Sequence, residues 1–276
     1  MKTRMLAVVV MALAAGCASN GSDNTVSNNA DAARTNLALG AAYLRQGNLA
    51  LAKSKLERAR EQNPDNAQTH SMLALLYERL GDDRGADSEN RTAERLAPND
   101  PEVLNNYAVY LCRKGRTDEG VRRFEQAAAN RLYTTPWAAY TNAGVCLNNA
   151  GRTAEAAAQF ERALMVQPGF AEAMFQLAHM DYAQGHYGAA QMRIDAYLRN
   201  NGATADLLLL GWRAASANHD PAAAIRFGLQ LRQQFPNSAQ AKALEGASEA
   251  SGPGGGGAGG GATGAPGAGA GGANPG

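Results

Sequence analysis

The chain repeats itself every thirty-four residues. Laying 33–66 over 67–100 pairs Leu39 with Leu73, Gly40 with Ala74, Tyr43 with Tyr77 and Gly47 with Gly81. The register continues through Ala52 and Ala86, Ala59 and Ala93, and Pro64 and Pro98. Each position has a physical task. Small residues at the eighth and twentieth places let two helices cross closely, the glycine near the fifteenth breaks the chain between them, and the proline stops the second helix. One such helix pair cannot bury its apolar face alone, so units of this length stack. Composition agrees: 45% of residues are hydrophobic but only 6% are aromatic, and alanine dominates the apolar set. Small residues of that kind suit close helix packing, whereas a β-sandwich draws on β-branched and aromatic side chains.

Four further units follow. The third, 101–136, carries Tyr107, Ala108, Leu111, Gly115, Gly120, Phe124 and Ala127, and runs two residues long before Pro136. The fourth, 137–170, has Gly144, Leu147, Gly151, Ala156, Phe160, Ala163 and Pro168. The fifth, 171–204, keeps Leu177, Ala178, Gly185, Ala190, Ile194 and Tyr197, with Asp181 at an aromatic place. The sixth, 205–238, is degenerate, with Gly211 and Trp212 at the seventh and eighth places, yet retains Ala224, Leu231 and Pro236. This is the tetratricopeptide (TPR) pattern. The expected fold is all-α: a TPR solenoid of six helix-pair repeats over 33–250, closed by a capping helix at 239–250. From 251 to 276 the chain is nearly all Gly, Ala and Pro without a charge, a composition expected to form a disordered tail.

The N-terminus reads differently. Lys2 and Arg4 precede an apolar or small run from Met5 to Ala15, then Gly16 and Cys17. That is a signal peptide over 1–16, too short to span a bilayer. Leu13-Ala14-Ala15-Gly16-Cys17 resembles a bacterial lipobox, with the leucine one place earlier than usual, and implies lipidation at Cys17. The alternative is an ordinary signal peptide with a chance cysteine. The polar tract to Ala32 is expected to be a flexible tether over 17–32. Ala18 after the cysteine resembles lipoproteins sorted to the outer membrane, so the protein is expected there, lipid-anchored on the periplasmic face.

No catalytic or metal-binding constellation is visible. His70, His179, His186 and His219 fall in separate repeats, none at ligand or nucleophile spacing. An early-helix histidine such as His70 reads as a packing or surface residue. The chain is therefore not expected to be an enzyme or to hold a cofactor or metal. Removing Lys2 and Arg4 with the signal leaves 24 basic residues (26 less 2) against 25 acidic ones, without the basic excess of a nucleic-acid binder.

Cys112 and Cys146 are the twelfth and tenth residues of repeats three and four, both near the ends of first helices. Those places differ by about 160° around the helix axis and by about 3 Å along it, so the two side chains can meet across one helix–helix interface. An oxidising compartment would bridge such a pair. The other reading is two small buried hydrophobes. Leu37, Ala41 and Leu44 form an i, i+4, i+7 stripe which, with Leu75, makes either an apolar groove for a protein partner or plain core. Further along, the lining turns polar at Asn105, Asn106, Thr141 and Asn142.

A lipoprotein signal, a polar tether, six TPRs and a first-helix cysteine in repeats three and four resemble the type IV pilus biogenesis lipoprotein (pilotin) family. The segments Asn105-Asn106-Tyr107-Ala108-Val109-Tyr110-Leu111-Cys112 and Asn142-Ala143-Gly144-Val145-Cys146 carry the resemblance most strongly. It implies a monomer that binds the outer-membrane secretin and aids its localisation and multimerisation. It also implies lipid at Cys17, a Cys112–Cys146 bridge and partner binding in the first repeats. The alternative is a TPR lipoprotein scaffold of another envelope machine, for outer-membrane protein insertion or peptidoglycan hydrolase control, because fold alone does not decide function.

Overall fold

Five glycines, Gly47, Gly81, Gly115, Gly151 and Gly185, have φ between 72° and 79°, and each ends one helix of a pair and aims the chain into the next. That left-handed conformation is nearly free for glycine and costly for residues with a Cβ. The sixth turn has His219 at the equivalent place, at φ 56°. In the computed structural model the described residues are 21–250, with side chains described over 29–246. They form helices and connecting turns, with no strand among them.

Thirteen helices are described. They are α1 (Gly21–Arg45), α2 (Leu49–Gln62), α3 (Ala67–Arg79), α4 (Asp83–Leu96), α5 (Pro101–Arg113), α6 (Thr117–Ala129) and α7 (Pro136–Asn149). There follow α8 (Thr153–Val166), α9 (Ala171–Ala183), α10 (Tyr187–Leu198), α11 (Ala205–Ala217), α12 (Pro221–Gln234) and α13 (Ala239–Ala250). Six helix pairs and a closing helix make this an all-α TPR fold. The chain divides into two compact units at Ala173 and Met174, within α9. The first holds α1–α8, and the second holds α10–α13 with most of α9.

Helix α1 starts at Gly21, so the chain is helical through much of the segment expected to be a flexible tether. The segment is polar, yet 22–32 contains neither glycine nor proline. Once the later turns of α1 are packed, each residue added ahead of them gains a helical hydrogen bond without a new nucleation cost. The expected signal peptide, Cys17 and the Gly/Ala/Pro tail lie outside the described residues.

The core is built on one contact that recurs in several pairs. A Cβ on Gly40 would stand 2.6 Å from Leu56 Cγ, one on Gly144 2.5 Å from the Phe160 ring, and one on Gly211 2.8 Å from the Phe227 ring. In each case the large residue lies sixteen positions beyond the small one. Ala108 and Phe124 keep that spacing and share one buried cluster. Leu56, Phe124, Phe160, Ile194 and Phe227 are all essentially fully buried.

Helix starts are closed by side chains. Asn48, Asn66, Asp82, Asp100, Thr204 and Asp220 accept hydrogen bonds from backbone N–H groups of the first turn. Arg116 and Arg152 stand at the same place ahead of α6 and α8 and cap nothing. Each instead pairs with a glutamate in the first turn, Glu119 or Glu155, at 2.7 Å, and with an aspartate of the preceding pair, Asp87 or Asp118.

The Gly144–Phe160 contact can be tested by sign. A helical Gly→Ala change ordinarily gains up to about 1 kcal/mol. At Gly144 the added methyl meets a fully buried ring, and overpacking of this kind costs about 1–3 kcal/mol. Gly144→Ala is therefore expected to lower the melting temperature by several degrees in far-UV circular dichroism. An unchanged or raised melting temperature would show that the pair has slack at this crossing.

Candidate protein-interaction face

In the first unit the leading helices of the four pairs are neighbours: α1 packs on α3, α3 on α5 and α5 on α7. Side chains tie each step. Arg79 donates from Nη1 to the Leu44 carbonyl, closing the end of α1 from α3. Arg113 pairs with Glu78 at 3.1 Å. Asn142 Nδ2 donates to Asn105 Oδ1 at 3.1 Å, and Cys112 is joined to Cys146 by a disulfide with the Cα atoms 5.6 Å apart. The four helices thus present one continuous face.

The residues singled out at the α1–α3 end do not all reach that face. Leu44 is 2% exposed and belongs to a buried cluster with Ala52, Leu56, Leu73 and Leu76. For Leu44 this excludes the groove and leaves the plain core that the stripe also allowed. The last turn of α1 directs Leu44 between α2 and α3, where it serves as core. Leu37 and Leu75 are half-buried and pack on the edge of the same cluster, and Ala41 is half-buried beside them. These three remain accessible. Cys17 lies outside the described residues.

The bridge between α5 and α7 depends on a third helix. A Cβ on Gly120 of α6 would stand 2.5 Å from Cys112 Sγ and 3.0 Å from the Ala108 carbonyl oxygen. The small residue at this place leaves room for the sulfur. Cys146 is buried with Leu104, Ala108, Phe124, Ala127, Ala139 and Ala143, and Cys112 packs against the same cluster.

His70 proves to be part of a buried ionic group. Its Nδ1 lies 2.5 Å from Glu89 Oε2, its Nε2 lies 2.8 Å from the Pro64 carbonyl, and Arg60 pairs with Glu89 at 2.9 Å. A carbonyl only accepts, so Nε2 carries a proton, and a carboxylate facing Nδ1 favours a second. The hydrogen bond that His70 donates to Glu89 accordingly raises the His70 pKa above 6.5, against burial, which lowers it. Burial pushes Glu89 up, but His70 and Arg60 together bring it below 4.5. This group joins α2, α3 and α4. Histidine and glutamate nineteen residues apart match no site spacing, and only the crossing of α3 with α4 brings them together.

Among the described residues no group of three or more His, Cys, Asp or Glu side chains could hold a metal ion, and no helix is long and apolar enough to cross a membrane. What the arrangement offers is surface, with apolar side chains at the α1–α3 end and side-chain amides at the α5–α7 end. Helix pairs with positive-φ turns and a small-to-large crossing define a tetratricopeptide-repeat protein, and models of that repeat match 43–108 and 106–173.

The relatives narrow the class. Over 226 residues the chain is 30% identical to the type IV pilus assembly protein PilF of Pseudomonas aeruginosa, covering 81% of this chain and 90% of that protein. The solved structure of P. aeruginosa PilF matches with a TM-score of 0.61 at 28% identity, over 80% of this chain and 99% of that one. The structure of PilW, described as a widely conserved type IV pilus biogenesis factor, matches with a TM-score of 0.60 at 29% identity, over 77% and 98%. The chain belongs to this family of TPR type IV pilus biogenesis proteins.

Two expectations follow. Because His70 titrates above 6.5 in the folded chain, its stabilisation is whole below 6.5 and disappears as pH rises through the folded value. Glu89 is depressed, so its contribution is whole above 4.5 and disappears as pH falls through its folded value. The advantage of the native chain over His70→Gln should therefore be largest between 4.5 and 6.5 and smaller near pH 9. Equal melting differences at both ends would remove the ionised pair from the account of stability.

The disulfide closes a loop of 34 residues. Chain-entropy arguments give about 3–4 kcal/mol for that length, less any native strain. Reduction, or Cys112→Ser with Cys146→Ser, should lower the melting temperature, and the unreduced, unfolded mature chain should show no thiol in this pair. Two titratable thiols there would refute the bridge.

Proposed function

We propose that this protein is a pilotin, a lipoprotein that binds the secretin of the type IV pilus and helps it reach the outer membrane and form its multimer. In this reading 1–16 is the signal peptide, Cys17 is the lipidated residue, and 33–250 is the binding body held at the periplasmic face of the outer membrane. Several acyl chains on one cysteine would anchor stably, where a single chain is marginal. The protein acts by binding, as a monomer, and without a cofactor.

The observation that carries the reading is the accessible apolar patch of Leu37, Ala41 and Leu75 on α1 and α3, in a chain that belongs to a pilus biogenesis family. Apolar residues left half-exposed on a stack of helices match a partner segment that brings its own apolar side chains. The patch also lies in the repeats nearest to Cys17 in sequence, which suits a partner assembled at the membrane.

The experiment separates binding from folding. Leu37→Asp with Leu75→Asp is expected to abolish secretin multimers and surface pili in cells while the melting curve stays close to native. Leu44→Ala is the contrast. It empties a core site, should cost about 2–5 kcal/mol, and should show first in the melting curve. Should the Asp pair lower melting as Leu44→Ala does, Ser at the same two positions repeats the test with a milder change. Normal melting with normal multimers would overturn the assignment of this patch to the secretin.

A further inference from the structure

Leu132 is the most exposed large apolar side chain among the described residues, at 87%. It stands in the stretch that makes the third unit two residues long, and the turn there is fixed. Its N–H donates to Asn130 Oδ1 at 2.9 Å, Asn130 Nδ2 donates to the Asn99 carbonyl at 2.8 Å, and Tyr133 packs on the buried cluster behind. One pair further on, Met165 is 74% exposed and Val166 is exposed beside it, in the last turn of α8. Gln159 and Arg162 both donate to Glu125 at 2.9 Å, so that turn lies next to the end of α6, where the chain leaves for Leu132. A lone exposed leucine is ordinary, whereas three apolar side chains on the same edge of successive pairs make a patch.

The edge is also poor in charge. From Ala127 to Trp137 the one charged residue is Arg131, and from Ala163 to Ala171 there is none. The matching stretches of the first two units carry Arg60, Glu61 and Asp65, and Glu94, Arg95 and Asp100. Arg131 is exposed and makes no ion pair with a described residue. The N-terminal end of the body leaves from the same edge. Arg79, the last residue of α3, donates to the Leu44 carbonyl near the end of α1, so the two helices run the same way and start on one side. Helix α1 begins twelve residues (21–32) ahead of the first unit, about 18 Å further out. Cys17 lies four residues before Gly21, a reach of at most about 14 Å.

We infer that this edge of the third and fourth pairs rests on a phospholipid bilayer surface, with Leu132, Met165 and Val166 in the headgroup–acyl boundary and Arg131 among anionic headgroups. Side chains on a turn and a helix end project outward, and a bilayer closes around a projecting apolar group without a shaped pocket. An arginine beside them keeps its stem in the apolar layer and its guanidinium at the headgroups. Three side chains alone bind weakly. A chain already tied to the same membrane through Cys17 supplies the effective concentration at which so weak a contact persists. The inference therefore rests on the lipoprotein reading, and it adds a second attachment point that fixes how the body is oriented.

In the oxidised mature chain Cys17 has the one free thiol, because Cys112 and Cys146 are bridged. Coupling it to a maleimide lipid in vesicles of phosphatidylethanolamine and phosphatidylglycerol replaces acylation by a known link. Leu132→Trp and Met165→Trp are compared with Leu80→Trp, at a leucine 47% exposed in a turn of the opposite edge. The indoles introduced at 132 and 165 are expected to shift to the blue and to be quenched by bromine on the acyl chains, beyond the signal of Trp137 and Trp212. The indole at 80 should stay in water. In the Met165→Trp chain, adding Leu132→Ser should lower the ratio of seated to free body about three- to tenfold. Adding Arg131→Gln instead should lower it about fivefold. Equal quenching at 132 and 80, or none at 132, would overturn the seat on the bilayer. So would a blue shift that appears without vesicles and grows with protein concentration, which marks a contact between proteins. Neither acylation nor a secretin enters this measurement, so its failure and that of the pilotin reading show separately.

Discussion

Everything described here depends on how closely the two helices of a pair can cross. At Gly144 the Phe160 ring occupies the volume that any side chain would need, and Gly211 with Phe227 repeats the arrangement in the second unit. The depth of that crossing sets where the next pair can pack. A methyl group at this place acts on backbone position as well as on local packing, because close-packed interiors pass strain on. The glycine turns and helix caps are secondary to it. They bring the two helices around, and the small-to-large contact then holds them.

The repeat and its helices were legible because they are periodic. Gly47, Gly81, Gly115, Gly151 and Gly185 recur at the unit spacing, allowing for the two-residue insertion in the third unit, and each proved to need the left-handed conformation. His219 hid in the degenerate sixth unit because its place in the register becomes evident only when the turn is seen. The start of α1 was not legible in the same way. Polarity describes what a segment cannot bury, whereas helix extension depends on what interrupts it, and 22–32 contains no breaker.

The site was legible only in part. Leu37, Ala41, Leu44 and Leu75 share a helical stripe in sequence, but a stripe cannot say which of its members a neighbouring helix will cover. Leu44 went to the core because α1 is flanked there by both α2 and α3. His70 and Glu89 were invisible as a pair, since the contact between their helices and not their spacing creates it. The neutrality of α7 could be read directly from the sequence. Its meaning depends on the adjacency of α5, which gathers the uncharged residues of two repeats into one strip.

The architecture also divides labour between the two helices of each pair. The second helices carry much of the ionic cross-linking: Arg123 bonds Glu94 across successive pairs and lies 4.6 Å from the Tyr107 ring, and in the second unit Arg226 pairs with Asp195. Partly exposed ion pairs of this kind contribute about 0–1 kcal/mol each, so they tune register more than they hold the fold. The leading helices α5 and α7 are uncharged over their middle turns. The Cys112–Cys146 bridge and the Asn142–Asn105 hydrogen bond join them. Ion pairs on the second helices and a covalent bridge between leading helices thus fasten successive pairs by different means.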